Sequence, residues 1–166
     1  MIRCLDAMQD AMARVDPWHR EVRTPNHGRL FLPELLRQVR LNRGFLLVAE
    51  VEDETVGVAA GWQQKFSHLQ RTTELPTRAG YLSDLSVLPP WRGKGIGTRL
   101  LRETESRFRQ SGCDRIALHV FFPNKEAQRL YFRQGYSGRG LILAKQLGAP
   151  RKRWPRESKR GRKRFR

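Results

Sequence analysis

The 166-residue chain has only two cysteines, Cys4 and Cys113, far apart and in no CxxC or Cys/His cluster. That excludes a disulfide framework and a zinc site of local spacing, and it predicts two reduced thiols and no metal. There is no run of about 18 apolar residues, so no segment reads as a transmembrane helix. The opening MIRCLDAMQD lacks the continuous apolar stretch of a signal peptide. The expected setting is the cytoplasm, away from membranes, and the expected state is a monomer or homodimer. Acidic residues are also scarce: 16 Asp and Glu face 33 Lys and Arg, a net charge of +17. Such a surface slows the approach of polycations and favours anionic partners.

What is present supports a globular body. At this length, 39% hydrophobic content suits one domain with a sizeable core. The charge is unevenly placed. From Pro150 onward, PRKRWPRESKRGRKRFR carries ten Lys/Arg and one Glu, so 10 − 1 = +9, leaving 17 − 9 = +8 for everything before it. With no aliphatic residue after Ala149, that tail buries too little to offset its ordering entropy. The expected organisation is a domain over 1–149 and a disordered basic tail over 150–166. Two readings of the tail stand side by side. One is a solubilising extension; the other is non-specific electrostatic attachment to RNA, DNA or a ribosome, with Trp154 and Phe165 stacking on bases.

Periodicity then divides the domain. Residues 5–14 and 30–42 read as helices, and FLLVAEV at 45–51 and TVGVAAGW at 55–62 as a hairpin around EDE. The stretch 63–79 has no clean period and reads as a loop. GYLSDLSVL at 80–88 is a third strand ended by Pro89 and Pro90, and 98–111 is a helix closed by Gly112. RIALHVFF at 115–122 reads as a strand buried on both faces. A short helix over 124–134 is capped by Asn124 and stopped by Gly135, and LILAKQL at 141–147 reads as a last strand. The order predicts a single α/β domain with a central mixed, mostly antiparallel sheet flanked by helices.

Between the third strand and its helix lies PPWRGKGIGTRLL, with Gly93, Gly95 and Gly97 at alternate positions. Glycines let a loop turn tightly and aim bare N–H groups at an anion, and the following helix points its positive end the same way. Phosphate is therefore the first candidate ligand. The spelling is not that of a P-loop, because Gly95 and no Ser/Thr follows Lys94, and GxGxG is not the Rossmann GxGxxG.

The spelling that fits is RxxGxG, at Arg92, Gly95 and Gly97. About thirty residues on, LHVFFPNKEAQRLYFRQGY at 118–136 supplies Leu118, Val120, Asn124, Ala127, Leu130, Tyr131, Gly135 and Tyr136 in the pattern LxVxxxNxxAxxLYxxxGY. These two signatures, in this order, resemble those of the GNAT N-acetyltransferase superfamily over roughly residues 45–147. The resemblance implies strands that splay around the pantetheine arm of acetyl-CoA, with the backbone of Leu85 to Val87 exposed to it. It implies pyrophosphate on the loop of Arg92, Gly93, Lys94, Gly95, Gly97 and Thr98, and a further contact from Asn124. Tyr131 occupies the family's acid position, where a phenol protonates the departing sulfur, and the backbone N–H near Val87 polarises the carbonyl.

The base is open at this level. Ser83 and Asp84 lie on the strand where some relatives carry a glutamate, Asp84 on the face opposite Ser83; Asp84 is the chosen candidate, and Glu50, Glu52 and His119 remain alternatives. His119 otherwise reads as a core histidine, Trp18 and Trp62 as core or pocket wall, and Trp91 as packing on the glycine loop or flanking the ligand. The function implied is acetylation of an amine-bearing acceptor, a small molecule or a protein. The alternative is a non-catalytic coenzyme A-binding protein held to nucleic acid by its tail.

Overall fold

The computed structural model describes residues 1–67, 70, 72, 78–145 and 147–148. The chain divides into two units, and the described residues of the first are those of Met1–Tyr136, with 137–145 and 147–148 in the second. In the first unit the elements run α1 (Ile2–Val15), α2 (His27–Leu41), β1 (Phe45–Val51), β2 (Glu54–Gln63), β3 (Ala79–Val87), α3 (Ile96–Gln110), β4 (Arg115–Leu118) and α4 (Lys125–Arg133). The sheet order is β1-β2-β3-β4, antiparallel between β1, β2 and β3 and parallel between β3 and β4. This is the mixed, mostly antiparallel sheet expected from the sequence.

Each face of the sheet buries its own helices. On one side Cys4 and Leu5 of α1 and Leu35 of α2 close over Val58, Ala60 and Leu88. On the other, Leu100 and Leu101 of α3 cover Ala59 and Leu82, with Leu130 and Tyr131 of α4 beside them. Both arrangements follow from period-two alternation in β2, which sends Val58 and Ala60 one way and Ala59 the other. The β1–β2 hairpin turns on Glu52 and Asp53, both at positive φ (49° and 63°), the conformation a two-residue hairpin loop needs to match strand twist. Phe108 of α3 lies flat on the sheet because Gly80 has no side chain; a Cβ there would stand 2.5 Å from the ring.

Several boundaries differ from the sequence reading. α3 begins at Ile96, two residues early, because Gly95 at φ 82° serves as its N-cap. β4 stops at Leu118, and its residues are half-buried with Ala117 exposed, rather than buried on both faces. The reason is position: β4 is the last strand of the sheet and pairs only with β3 among the described residues. His119 accordingly lies beyond the strand and exposed, its ring edge-on to Phe121, not in the core. Residues 141–145 and 147 form no strand, and Leu141, Ile142, Leu143 and Leu147 are exposed; Gln146 lies outside the described residues. An apolar run becomes a strand only with ladder partners, and none is present there. The basic tail, 150–166, also lies outside the described residues.

Candidate active site

β3 is the axis of the site. Its register against β2 runs Val58↔Ser86, Ala60↔Asp84, then Gly61↔Leu82, so Ser83 is an extra residue with no partner, a β-bulge. Cross-strand partners share a face, which places Asp84 beside Ala60 on the α1/α2 side. Ser86, next on that side, donates its hydroxyl to the Cys4 carbonyl at 2.7 Å. Leu82, by contrast, packs with Leu100 and Leu101. Plain alternation would have put Asp84 with Leu82; the bulge reverses it.

The bulge coincides with a fork. The last β3–β4 pair is Leu82↔Leu118, and from Asp84 to Val87 β3 pairs only with β2 among the described residues. Ladder bonds alternate along an antiparallel pair. The Leu88 N–H bonds across to Val56, so Leu85 and Val87 turn their backbone groups into the fork. One group there is already engaged: Arg92 Nε donates to the Val87 carbonyl at 3.0 Å, bracing the loop against the strand end.

The glycine loop opens beside it. Gly93 and Gly95 have φ of 73° and 82°, and a Cβ at either would meet nothing within 4 Å. Among the described residues no acceptor takes the N–H groups of Gly93 to Thr98; the first helical bond is from Arg99 to Gly95. This is a cradle of donors at the positive end of a 15-residue helix. Lys94 leaves it clear, with its ammonium 4.5 Å from the Trp91 ring. Gly97 sits inside α3, where a Cβ would make only ordinary contact with Leu130 and Val87, so its smallness is not what opens the loop.

α4 brings up the phenol. Asn124 caps it by accepting from the Ala127 N–H at 3.2 Å. Its far end closes with Tyr136 N–H to Tyr131 C=O and Gly135 N–H to Phe132 C=O, a Schellman arrangement. Between these caps Tyr131 is turned onto the α3 face with Leu85 and Val87, and its ring stands 5.7 Å from that of Tyr136. Burial pushes its hydroxyl up to about 12, so it holds its proton at any working pH.

On the opposite face Asp84 is only 5% exposed, and its Oδ2 has no hydrogen-bond partner. Burial raises its carboxyl above the ordinary range, while a hydrogen bond from Ser83 and the charge of His27 pull it down. Tyr81 and Trp62, cross-strand partners with rings 5.9 Å apart, flank it on the same face. Burial, and then Asp84, raises the Tyr81 hydroxyl. Glu50 and Glu52 are exposed at the β1–β2 hairpin, several register steps from Asp84. The sequence reading missed Tyr81 and His27. Tyr81 could have been found only by knowing the bulge, and His27 lay in a segment read as a turn. Among the described residues no group of three or more His, Cys, Asp or Glu could hold a metal, and no helix is long and apolar enough to cross a membrane.

Known proteins share this fold. A tetramutant of the BH1408 protein of Bacillus halodurans superposes with a TM-score of 0.73 at 20% identity, over 88% of this chain and 91% of that one. An aminoglycoside N-acetyltransferase solved in complex with CoA gives a TM-score of 0.57 at 16% identity, over 71% of this chain and 87% of that one. In sequence, the aminoalkylphosphonate N-acetyltransferase of Salmonella typhimurium is 36% identical over 80 residues, which is 48% of this chain and 52% of that protein. The chain spans about half the length of the curated relatives it matches. Residues 12–136 match the Acetyltransferase (GNAT) family, and since that span holds α2, the whole sheet, the glycine loop and α4, the forked strand and its donor cradle are those of a member of this family.

Proposed function

We propose that the protein transfers an acetyl group from acetyl-CoA to a primary amine by direct attack. The observation that carries this reading is the fork of β3 and β4, with a buried carboxylate whose Oδ2 has no hydrogen-bond partner on one face of β3 and a half-buried phenol on the other. Acetyl-CoA supplies an activated acyl carbon and a thiolate leaving group. The N–H groups of Gly93 to Thr98 suit its pyrophosphate, and the backbone of Leu85 and Val87 its pantetheine amides. Asp84 removes a proton from the acceptor ammonium. Its raised carboxyl brings it toward the range in which a base works near neutrality. The Val87 N–H, facing the fork, polarises the thioester carbonyl.

Tyr131 has a narrower role than outright protonation. With its hydroxyl at about 12, passing a proton to a thiolate, whose conjugate thiol lies near ~8.5 in water, is uphill. It instead donates a hydrogen bond that spreads the charge developing on sulfur. Asn124 serves as the α4 cap that sets the phenol's position. An enclosed carboxylate and a half-buried phenol that keeps its proton, on opposite faces of one forked strand, are what a binding-only protein has no use for, and this favours catalysis over the non-catalytic alternative. The acceptor is a primary amine of a small molecule or a protein chain.

The test is thiol release from acetyl-CoA across amines, amino acids and peptides, with Tyr131→Phe in parallel. The expected result is release above hydrolysis with one class of acceptor. In the variant, kcat falls about ten- to a hundredfold while acetyl-CoA affinity stays within about twofold. Equal turnover would remove Tyr131 from the mechanism.

A further inference from the structure

Where β4 parts from β3, the strand loses the neighbour that would take its outward backbone groups, and at Val87 a side chain stands in that neighbour's place. Resting on the acetyl-transfer reading above, we propose that Arg92 is a positioning residue for the reaction. Its hold on the Val87 carbonyl fixes the backbone of Val87, so that the Val87 N–H stays aimed at the thioester carbonyl, and its loss slows turnover rather than weakening the cofactor.

The chain between the two residues is a short, stiff arm. Pro89 and Pro90 preset their own φ, and Pro89–Trp91 form one tight helical turn. Trp91 N–H closes it on the Leu88 carbonyl at 2.9 Å, and Arg92 N–H on the Pro89 carbonyl at 3.2 Å. The turn returns Arg92 to the strand end, where its half-buried side chain donates through Nε to the Val87 carbonyl at 3.0 Å. That carbonyl belongs to the Val87–Leu88 peptide, whose other end, the Leu88 N–H, bonds to the Val56 carbonyl at 2.9 Å. One peptide plane is thus pinned at both edges, by β2 on one side and by Arg92 on the other. The Val87 side chain is held too, on the same apolar cluster as Leu130 and Tyr131. With its carbonyl, the next amide and its side chain fixed, the backbone group that Val87 still offers to the fork is its N–H.

Arginine suits this task. A hydrogen bond from an ionised donor is roughly twice as strong as a neutral one, and the guanidinium keeps its donors in a fixed plane where an ammonium swivels on a flexible stem. The neighbours in the loop cannot replace it: the Lys94 ammonium lies 4.5 Å from the Trp91 ring, and Gly93 and Gly95 have no side chain. Without Arg92 the Val87 carbonyl would face the fork unpaired and free to turn toward water or toward an amide of the ligand. The N–H on the same residue would turn with it. A polarising N–H lowers the barrier only when it is already aimed at the place where negative charge develops. The pyrophosphate, by contrast, meets the N–H groups of Gly93 to Thr98, and those contacts do not pass through the Arg92 side chain. The two effects therefore separate, with rate depending on Arg92 and cofactor affinity on the loop.

The experiment uses the full-length protein with the best acceptor from the amine panel. Arg92→Lys, which keeps a positive charge beside the loop, and Arg92→Ala are compared with wild type in kcat, in acetyl-CoA affinity by calorimetry and in melting temperature. Arg92→Ala is also assayed with millimolar guanidinium chloride, and with tetramethylammonium chloride as the ionic control. The expected result is a fall in kcat of about tenfold or more in both variants, with the acetyl-CoA affinity of Arg92→Lys within about threefold of wild type. Guanidinium restores turnover in Arg92→Ala with a saturating dependence, and tetramethylammonium does not. Unchanged kcat would overturn the proposal. So would an affinity that falls as far as kcat does, which would make Arg92 a phosphate ligand, or a loss in folded Arg92→Ala that guanidinium leaves unrestored. Should Arg92→Ala fold poorly, the split between kcat and affinity in Arg92→Lys decides alone. Wild-type silence across the whole panel is a different outcome, since it overturns the acetyl-transfer reading on which the positioning role stands.

Discussion

Asp84 carries opposite demands for stability and for chemistry. In an unfolded chain its carboxyl titrates near ~3.9, and in the fold burial raises it. The folded state therefore holds the proton more tightly. The stability this confers is complete below the unfolded value and is lost as pH rises through the folded one. At pH 7 the enclosed charge works against the fold. Asp84→Asn is expected to abolish turnover and raise the melting temperature at pH 7, each kcal/mol relieved appearing as about 2–4 °C. The gain should vanish as the pH falls toward about 4. A melting temperature that drops at pH 7 would mean that the carboxylate is satisfied in a way its unpartnered Oδ2 does not suggest. Single residues were legible in proportion to the motif around them. Tyr131 and Asn124 stand inside a long signature; in the fold Asn124 caps α4 and Tyr131 packs on the α3 face. Asp84 could be named but not faced, because its side depends on an extra residue that hydrophobic alternation does not register.

Among the elements, the glycine loop makes the sharpest prediction. Gly95 at φ 82° caps α3, and the space beyond it is open, so a side chain there meets strain but no clash within the protein. Gly95→Val should cost about 1–2 kcal/mol in stability for its left-handed backbone and leave a folded protein. Its side chain would stand in front of the unpaired N–H groups. Acetyl-CoA affinity measured by calorimetry is expected to fall more than about tenfold, a loss of at least ~1.4 kcal/mol. Unchanged affinity would remove the loop from the phosphate site. At this scale the sequence was most readable where period and punctuation agree: both N-terminal helices, the β1–β2 hairpin, β3, α3 and α4 are all present. It ran too long at β4, which ends at Leu118 rather than at 122, and failed at 141–145 and 147, where apolar composition promised a strand. Whether such a run joins a sheet depends on a neighbour with a free edge, and composition says nothing about neighbours.

For the whole molecule the dominant fact is charge. The +17 divides into +9 on the last seventeen residues and +8 on all the rest, so removing residues 150–166 should leave the fold and the acetyl-transfer chemistry as they are. If the tail attaches the protein to nucleic acid, binding to a non-specific duplex will weaken steeply between about 50 and 200 mM salt in the full chain and be absent after truncation. A truncated protein that still binds equally well would place the contact on the folded body. One feature of that body also bears on how a long flexible ligand enters it. Along β2 the paired stretch Gly57 to Gln63 has seven residues, and along β3 the matching stretch Gly80 to Val87 has eight. Two rails of unequal count cannot run straight together, and the surplus is taken up as a bend at the point where β3 and β4 part. The cleft is therefore parted by arithmetic within the chain itself, before any ligand arrives, and entry need not wait for strands to be prised apart.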